Sequence, residues 1–217
     1  VHRTFLLTLS AALLLSAPAS AAPAREAPHP APRPAPLVAG PLAGFDLDAG
    51  YGAAYRVTSR PGVARFALCG RTAWDPREGT RALVGVRATE PEWYRGRTLV
   101  RYRTAKAASA AVARARAAVT ACPQEREADG SGVDHTVRDD VALGEDSVAW
   151  IDRYPQEAAG GAYDPGLTVF HVVRVGRAVL ASYEYSESNA TPRSRERAVD
   201  EATAADRPVV AAMADVN

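Results

Sequence analysis

The chain has 217 residues, with 26 Lys and Arg against 25 Asp and Glu and a formal net charge of +1. So even a balance gives no strong field for nucleic acid or an anionic membrane and argues against both as partners. The length suits one good-sized core or two small ones.

The first segment is the most directive. His2 and Arg3 open it, an apolar run from Phe5 to Leu15 follows, and Ala19-Ser20-Ala21 closes it as a small-x-small site. The run is too short to span a bilayer, so residues 1–21 read as a secretory signal peptide. No cysteine stands just after it to take a lipid, and the mature chain is expected to be secreted, extracellular and without a membrane anchor. Residues 22–41 form a Pro/Ala-rich linker that cannot bury a core. A single folded domain is expected over residues 42–217.

Within that domain, Val63 to Cys69 alternates weakly and reads as a strand, and residues 70–80 read as a loop. Arg81 to Ala88 and Arg97 to Arg103 alternate clearly. In the second, Thr98, Val100 and Tyr102 are expected to face inward, and Arg97, Arg101 and Arg103 outward as a basic stripe. Ala105 to Ala121 is the best helix, with Thr104 as N-cap and Pro123 as stop. Its buried stripe is predicted to run through Ala105, Ala108, Val112, Ala115 and Val119 to Cys122.

Residues 124–132 are polar and glycine-rich, and Val133 to Arg138 and Ser147 to Arg153 read as strands around an acidic turn. The stretch from Pro155 to Pro165 reads as a loop. Leu167 to Val175 and Ala178 to Glu184 flank the two-residue turn Gly176-Arg177 and predict a hairpin. That turn sets Val175 opposite Ala178, Val173 opposite Leu180, His171 opposite Ser182 and Val169 opposite Glu184. Thr191-Pro192 starts the last helix, with proline at its first position. Pro208 is expected to kink or split it. The order of elements predicts an α+β fold, an antiparallel sheet with helices packed on one face.

Cys69 and Cys122 are the two cysteines. In an oxidising compartment two cysteines in one domain pair, and Cys122 lies on the inward stripe of its helix. A disulfide is therefore expected.

The secretion signal, the Pro-rich spacer, the Ala-rich helix ending in Cys122-Pro123, Leu143-Gly144-Glu145-Asp146-Ser147 before a strand, the hairpin turn Val173 to Arg177 and the final helix occur together. In this pattern residues 42–215 resemble the sensor-like extracellular domains of actinobacteria. Those occur as the outer part of some Ser/Thr kinases and as stand-alone secreted or lipid-anchored proteins. The resemblance implies an antiparallel α+β domain, a cleft of unspecified ligand and no enzymatic activity. The kinase-attached members carry two disulfides and a tether, whereas this chain has cysteines for one and shows no transmembrane segment or kinase.

The sharpest polar constellation is on the predicted hairpin, where His171 faces Ser182 with Glu184 on the diagonal. Serine, histidine and carboxylate invite a hydrolase reading. A serine in a regular strand lacks the tight turn that exposes a nucleophile beside oxyanion donors. A hydrogen-bonded polar patch accounts for the same residues. The opposite face, with Phe170, Val172, Val179, Ala181, Tyr183 and Tyr185, is assigned to the core under the helices. The face of His171, Ser182 and Glu184 is then the open one and the candidate ligand site. His135 and His171 lack a local metal-ligand pattern, and Asp139, Asp140, Glu145 and Asp146 do not match an EF-hand loop. No cofactor or metal is expected. The reading is a secreted, non-enzymatic binding or sensor-like domain for an envelope component or small ligand, with a secreted hydrolase as the alternative.

Overall fold

The structure is a computed structural model. It describes residues 42, 44–51, 62–63, 65–77, 80–90, 93–126, 128, 132–154, 166–186 and 191–216, with backbone alone at 80–84, 86–90 and 93. The expected signal peptide, the linker and the Pro155 to Pro165 loop lie outside the described residues.

Nine strands and two helices are described: β1 (Phe66–Leu68), β2 (Arg71–Trp74), β3 (Thr80–Glu90), β4 (Trp93–Tyr102), α1 (Ala105–Ala121), β5 (Gln124–Arg126), β6 (Gly132–Val137), β7 (Asp146–Arg153), β8 (Leu167–Val175), β9 (Ala178–Ser186) and α2 (Pro192–Ala212). Seven strands form one sheet in the order β3-β4-β9-β8-β7-β6-β5, and every neighbouring pair is antiparallel. The β8–β9 register is the one predicted from the Gly176-Arg177 turn, including His171 opposite Ser182 and Val169 opposite Glu184.

The chain is thus an α+β domain with helices packed on an antiparallel sheet, but the two helices do not share a face. α1 lies on the side of Val100, Tyr102, Val148, Trp150, Val172, Val179 and Ala181. α2 lies on the side of Leu99, Val173, Leu180, Val169 and Ile151. Side chains alternate along each strand, so these two sets point opposite ways. The sequence reading of one covered face missed this because β7 and β8 are apolar on both sides, the pattern of a doubly covered sheet.

α1 begins at Thr104, whose hydroxyl accepts from Ala107 N at 3.1 Å. It buries Ala108, Ala111, Val112, Ala115 and Val119, while Ala105 at its start is exposed. Small side chains let it lie close to the sheet. α2 starts at a capping box between Thr191 and Ser194 with Pro192 in its first turn. It runs through Pro208 without splitting.

Residues 70–80 do not form a plain loop. β1 and β2 make a small hairpin with Leu68 paired to Arg71. Cys69 and Gly70 form its turn with φ of 47° and 71°. Positive φ at both central residues fits the tight turn that a right-twisted hairpin prefers. The Cys-Gly dipeptide is not the usual Asn-Gly signal, so the hairpin escaped the sequence reading. Cys69 is bonded to Cys122 at the end of α1, with Cα atoms 5.9 Å apart. Glu125 Oε1 accepts from Cys69 N at 2.6 Å at the same point. Among the described residues no helix is long and apolar enough to cross a membrane.

Candidate functional site

The face carrying His171, Ser182 and Glu184 is closed. All three are buried, at 1%, 4% and 7% exposure, because α2 lies over them. Asp206 of α2 sits at the centre. Its Oδ2 accepts from His171 Nδ1 at 2.8 Å and from the Ser182 hydroxyl. Its Oδ1 accepts from Arg97 Nε at 2.7 Å. Burial alone would raise the Asp206 carboxyl. The His171 hydrogen bond, the Arg97 charge and Ser182 outweigh it and hold the group below its ordinary value.

This arrangement corrects two expectations. Serine and histidine both bond to Asp206 instead of to each other, so no nucleophile–base pair forms. The free space beside them is about 10 Å³, room for a single water at most. The ligand and hydrolase readings of this face therefore fall together. Glu184 pairs with Arg95 across β9 and β4.

Arg97, expected at the surface, is fully buried. Its Nη1 donates to Leu47 O at 3.1 Å and Ala49 O at 2.7 Å, and its Nη2 to Ala205 O at 2.6 Å. The Tyr51 ring covers it 3.8 Å from the guanidinium carbon. Pro208 has no N–H for the Ala204 carbonyl four residues back, and Arg97 bonds the neighbouring carbonyl of Ala205.

The opposite face is open where α1 ends. Cross-strand registers arrange it in rows. The row under α1 is Val148, Val172, Ala181 and Thr98. The next is Val137, Trp150, Phe170, Tyr183 and Gly96. The last is His135, Asp152, Thr168, Tyr185 and Tyr94. The sheet thus passes from aliphatic, to aromatic, to polar and tyrosine-rich as it leaves the helix. β1 stands over the second row, with Phe66 edge-on to Trp150 and Phe170 at 5.4 and 5.0 Å between ring centres.

Between β1 and these rows lies a cleft of about 540 Å³ lined by Phe66, Tyr94, Asp152, Tyr154, Thr168, Phe170, Tyr183 and Tyr185 among others. That volume lies in the usual range for small-molecule sites. The wall by Gly62 and Val63 is pinned through Thr98, whose hydroxyl bonds both Val63 N and Val63 O at 2.8 Å. Gly96 permits this approach: a β-carbon there would sit 2.6 Å from Gly62 O and 2.5 Å from the Tyr183 ring.

Asp152, at the polar end of the cleft, belongs to an acid–imidazole chain. His135 Nδ1 is 2.6 Å from Asp152 Oδ1, and His135 Nε2 is 3.5 Å from Glu125 Oε1. Burial pulls the His135 imidazole down, but Asp152 and then Glu125 outweigh it and its pKa is raised. Burial pushes the Asp152 carboxyl up, against the lowering by His135. Tyr154 OH and Thr168 Oγ1 are 3.2 Å apart at the same end. His135 and His171 stand on opposite faces of the sheet and share no metal site. Asp140, Glu145 and Asp146 each pair with an arginine: Arg138, Arg174 and Arg116.

None of the residues lining the cleft was a sequence candidate, His135 beside Asp152 was weighed only as a metal ligand, and the Tyr183 face was assigned wholly to core. One signal was present. Trp150, Asp152 and Tyr154, then Tyr183 and Tyr185, alternate so that each set shares a face. No family model matches the chain, and no curated protein matches it. Among solved structures it is similar to the extracellular domain of PknH from Mycobacterium tuberculosis, at 18% identity and a TM-score of 0.41, over 60% of this chain and 65% of that one. The chain therefore spans less than two thirds of the length of that domain.

Proposed function

We propose that this is a secreted, non-enzymatic binding domain of the sensor-like kind, whose ligand is a small molecule or envelope component held in the tyrosine-rich cleft. The observation that carries the reading is the cleft itself: apolar and aromatic walls, with Asp152, Thr168 and Tyr154 grouped at one end. Apolar walls with a few convergent polar groups are what ligand sites offer. The disulfide fits an oxidising compartment.

Ligands found by screening envelope fragments and small molecules are expected to bind saturably. Tyr185→Ala and Tyr183→Ala should each weaken them at least about tenfold, which is about 1.4 kcal/mol. Arg138→Ala, remote from the cleft, serves as control. Affinity unchanged in both tyrosine variants would sink the reading. A hydrolase panel is expected to give no turnover that Ser182→Ala removes.

Export is part of the same proposal. The mature protein should begin within a residue or two of Ala21 and appear in the culture fluid. Intact mass of the exported protein checks this, and a mass that retains residues 1–21 contradicts it.

A further inference from the structure

The geometry points to an organic cation, an alkylated or quaternary ammonium group, as the ligand class of the tyrosine-rich cleft; this rests on the cleft being the binding site. Charge is the first ground. Asp152 is 7% exposed and stands at the cleft's polar end. The chain Glu125–His135–Asp152 joins two carboxylates through one imidazole. With both carboxylates ionised it keeps a net negative charge whether His135 is protonated or not. Among the described residues, two arginines nearby are paired with other carboxylates. Arg95 pairs with Glu184 on the other face of the sheet. Arg126 pairs with Asp134. Arg65 lines the cleft at its β1 rim and donates to the Thr72 hydroxyl, a neutral partner that leaves its charge in place. Burial already disfavours the Asp152 anion, and a cation beside it would relieve that cost.

Ring geometry is the second ground. Tyr185 stands between Tyr94, at 5.7 Å and 46°, and Tyr154, at 6.4 Å and 65°. Rings inclined in this way form a corner instead of one flat platform. A corner encloses a rounded group, whereas a sugar ring stacks best on a single flat face. Aromatic faces attract cations, and aromatic cages beside a carboxylate suit alkylammonium groups. Register places this corner beside the acid, since Tyr185 opposes Thr168 and Thr168 opposes Asp152.

The test titrates the full exported protein with choline, with its uncharged isostere 3,3-dimethyl-1-butanol, and with chitotriose, by calorimetry. Choline is expected to bind at least about tenfold more tightly than the isostere. Asp152→Asn and Tyr185→Ala should each remove at least about tenfold of that affinity. Their melting curves establish that they fold, and Tyr94→Ala, at the more exposed end of the corner, gives a second route if either fails. Equal binding of choline and the isostere, or no choline binding, overturns the assignment. If the isostere or chitotriose binds in a Tyr185-dependent way while choline does not, the cation class falls and the cleft stands as a site. If none of the three binds, the cation class falls and the fragment screen above decides the cleft on its own.

Discussion

Arg97→Ala is expected to cost about 3–5 kcal/mol of folding stability, the usual result of leaving one member of a buried ion pair alone. That is a large part of a typical domain's total. The expectation is high because Arg97 serves three parts of the structure at once. It binds Asp206 and Ala205 of α2, and the carbonyls of Leu47 and Ala49 in the segment ahead of the sheet. The substitution would take from Asp206 its arginine partner, leaving it His171 and Ser182, and would remove a donor from three carbonyls together. Arg97→Lys keeps the charge but loses the planar fork, and should recover only a minor part. Urea unfolding measures both, and an unchanged slope would show that only stability moved. A loss under about 1 kcal/mol would mean the network is replaceable by water, which its burial argues against.

The same network fixes the acid limit. The Asp206 pKa is lowered in the folded protein. Its contribution to stability is therefore fully present above the unfolded carboxylate value of about 4, and is lost as pH falls through the lower folded value. Stability should decline below about pH 4, and Asp206→Asn should flatten that part of the profile while lowering the plateau.

Loss of the Cys69–Cys122 disulfide is the second large effect, about 4 kcal/mol on the chain-entropy model for a sequence separation of 53. The double Cys→Ser variant and the reduced protein should melt at similarly lowered temperatures. The bond also holds the β1–β2 hairpin against the end of α1, and Phe66, Ala67 and Leu68 of β1 line the cleft. Amide exchange should therefore rise first in Phe66–Trp74, and ligand affinity should fall with it. Two thiols titrating in the native, unreduced protein, or an unshifted melting temperature on reduction, would contradict the prediction.

The parts of this fold that could be read from the sequence are those specified locally. Thr104, the alanine stripe and Pro123 define α1 within one segment. The Gly176-Arg177 turn fixes the β8–β9 register by counting outward from it. What could not be read depends on partners distant in sequence. Arg97 alternates with Thr98 as an exposed arginine would, and partners distant in sequence make its burial tolerable: Asp206, 109 residues away, and the carbonyls of Leu47, Ala49 and Ala205. Asp206 follows Val199 and Ala202 and precedes Val209 and Met213 at helical spacing, so its place on the apolar stripe was legible, but the arginine that meets it was not. The cleft row draws His135, Asp152, Thr168, Tyr185 and Tyr94 from five strands. Pairing of β7 with β8 and of β9 with β4 must be known before the five line up. β2 and β5 were missed because three- and four-residue strands carry too few alternations to register.

Where the disulfide sits also decides how the protein responds to a protease. Cys69 and Cys122 bracket β2, β3, β4 and α1, so a cut anywhere between them leaves both products joined. Arg77, 78% exposed in that interval, is an open trypsin site. Nicked protein would run as one species on a non-reducing gel and separate into two on adding reductant. Damage in the enclosed segment is thus concealed covalently, and an intact band proves an uncut chain only when thiol is present.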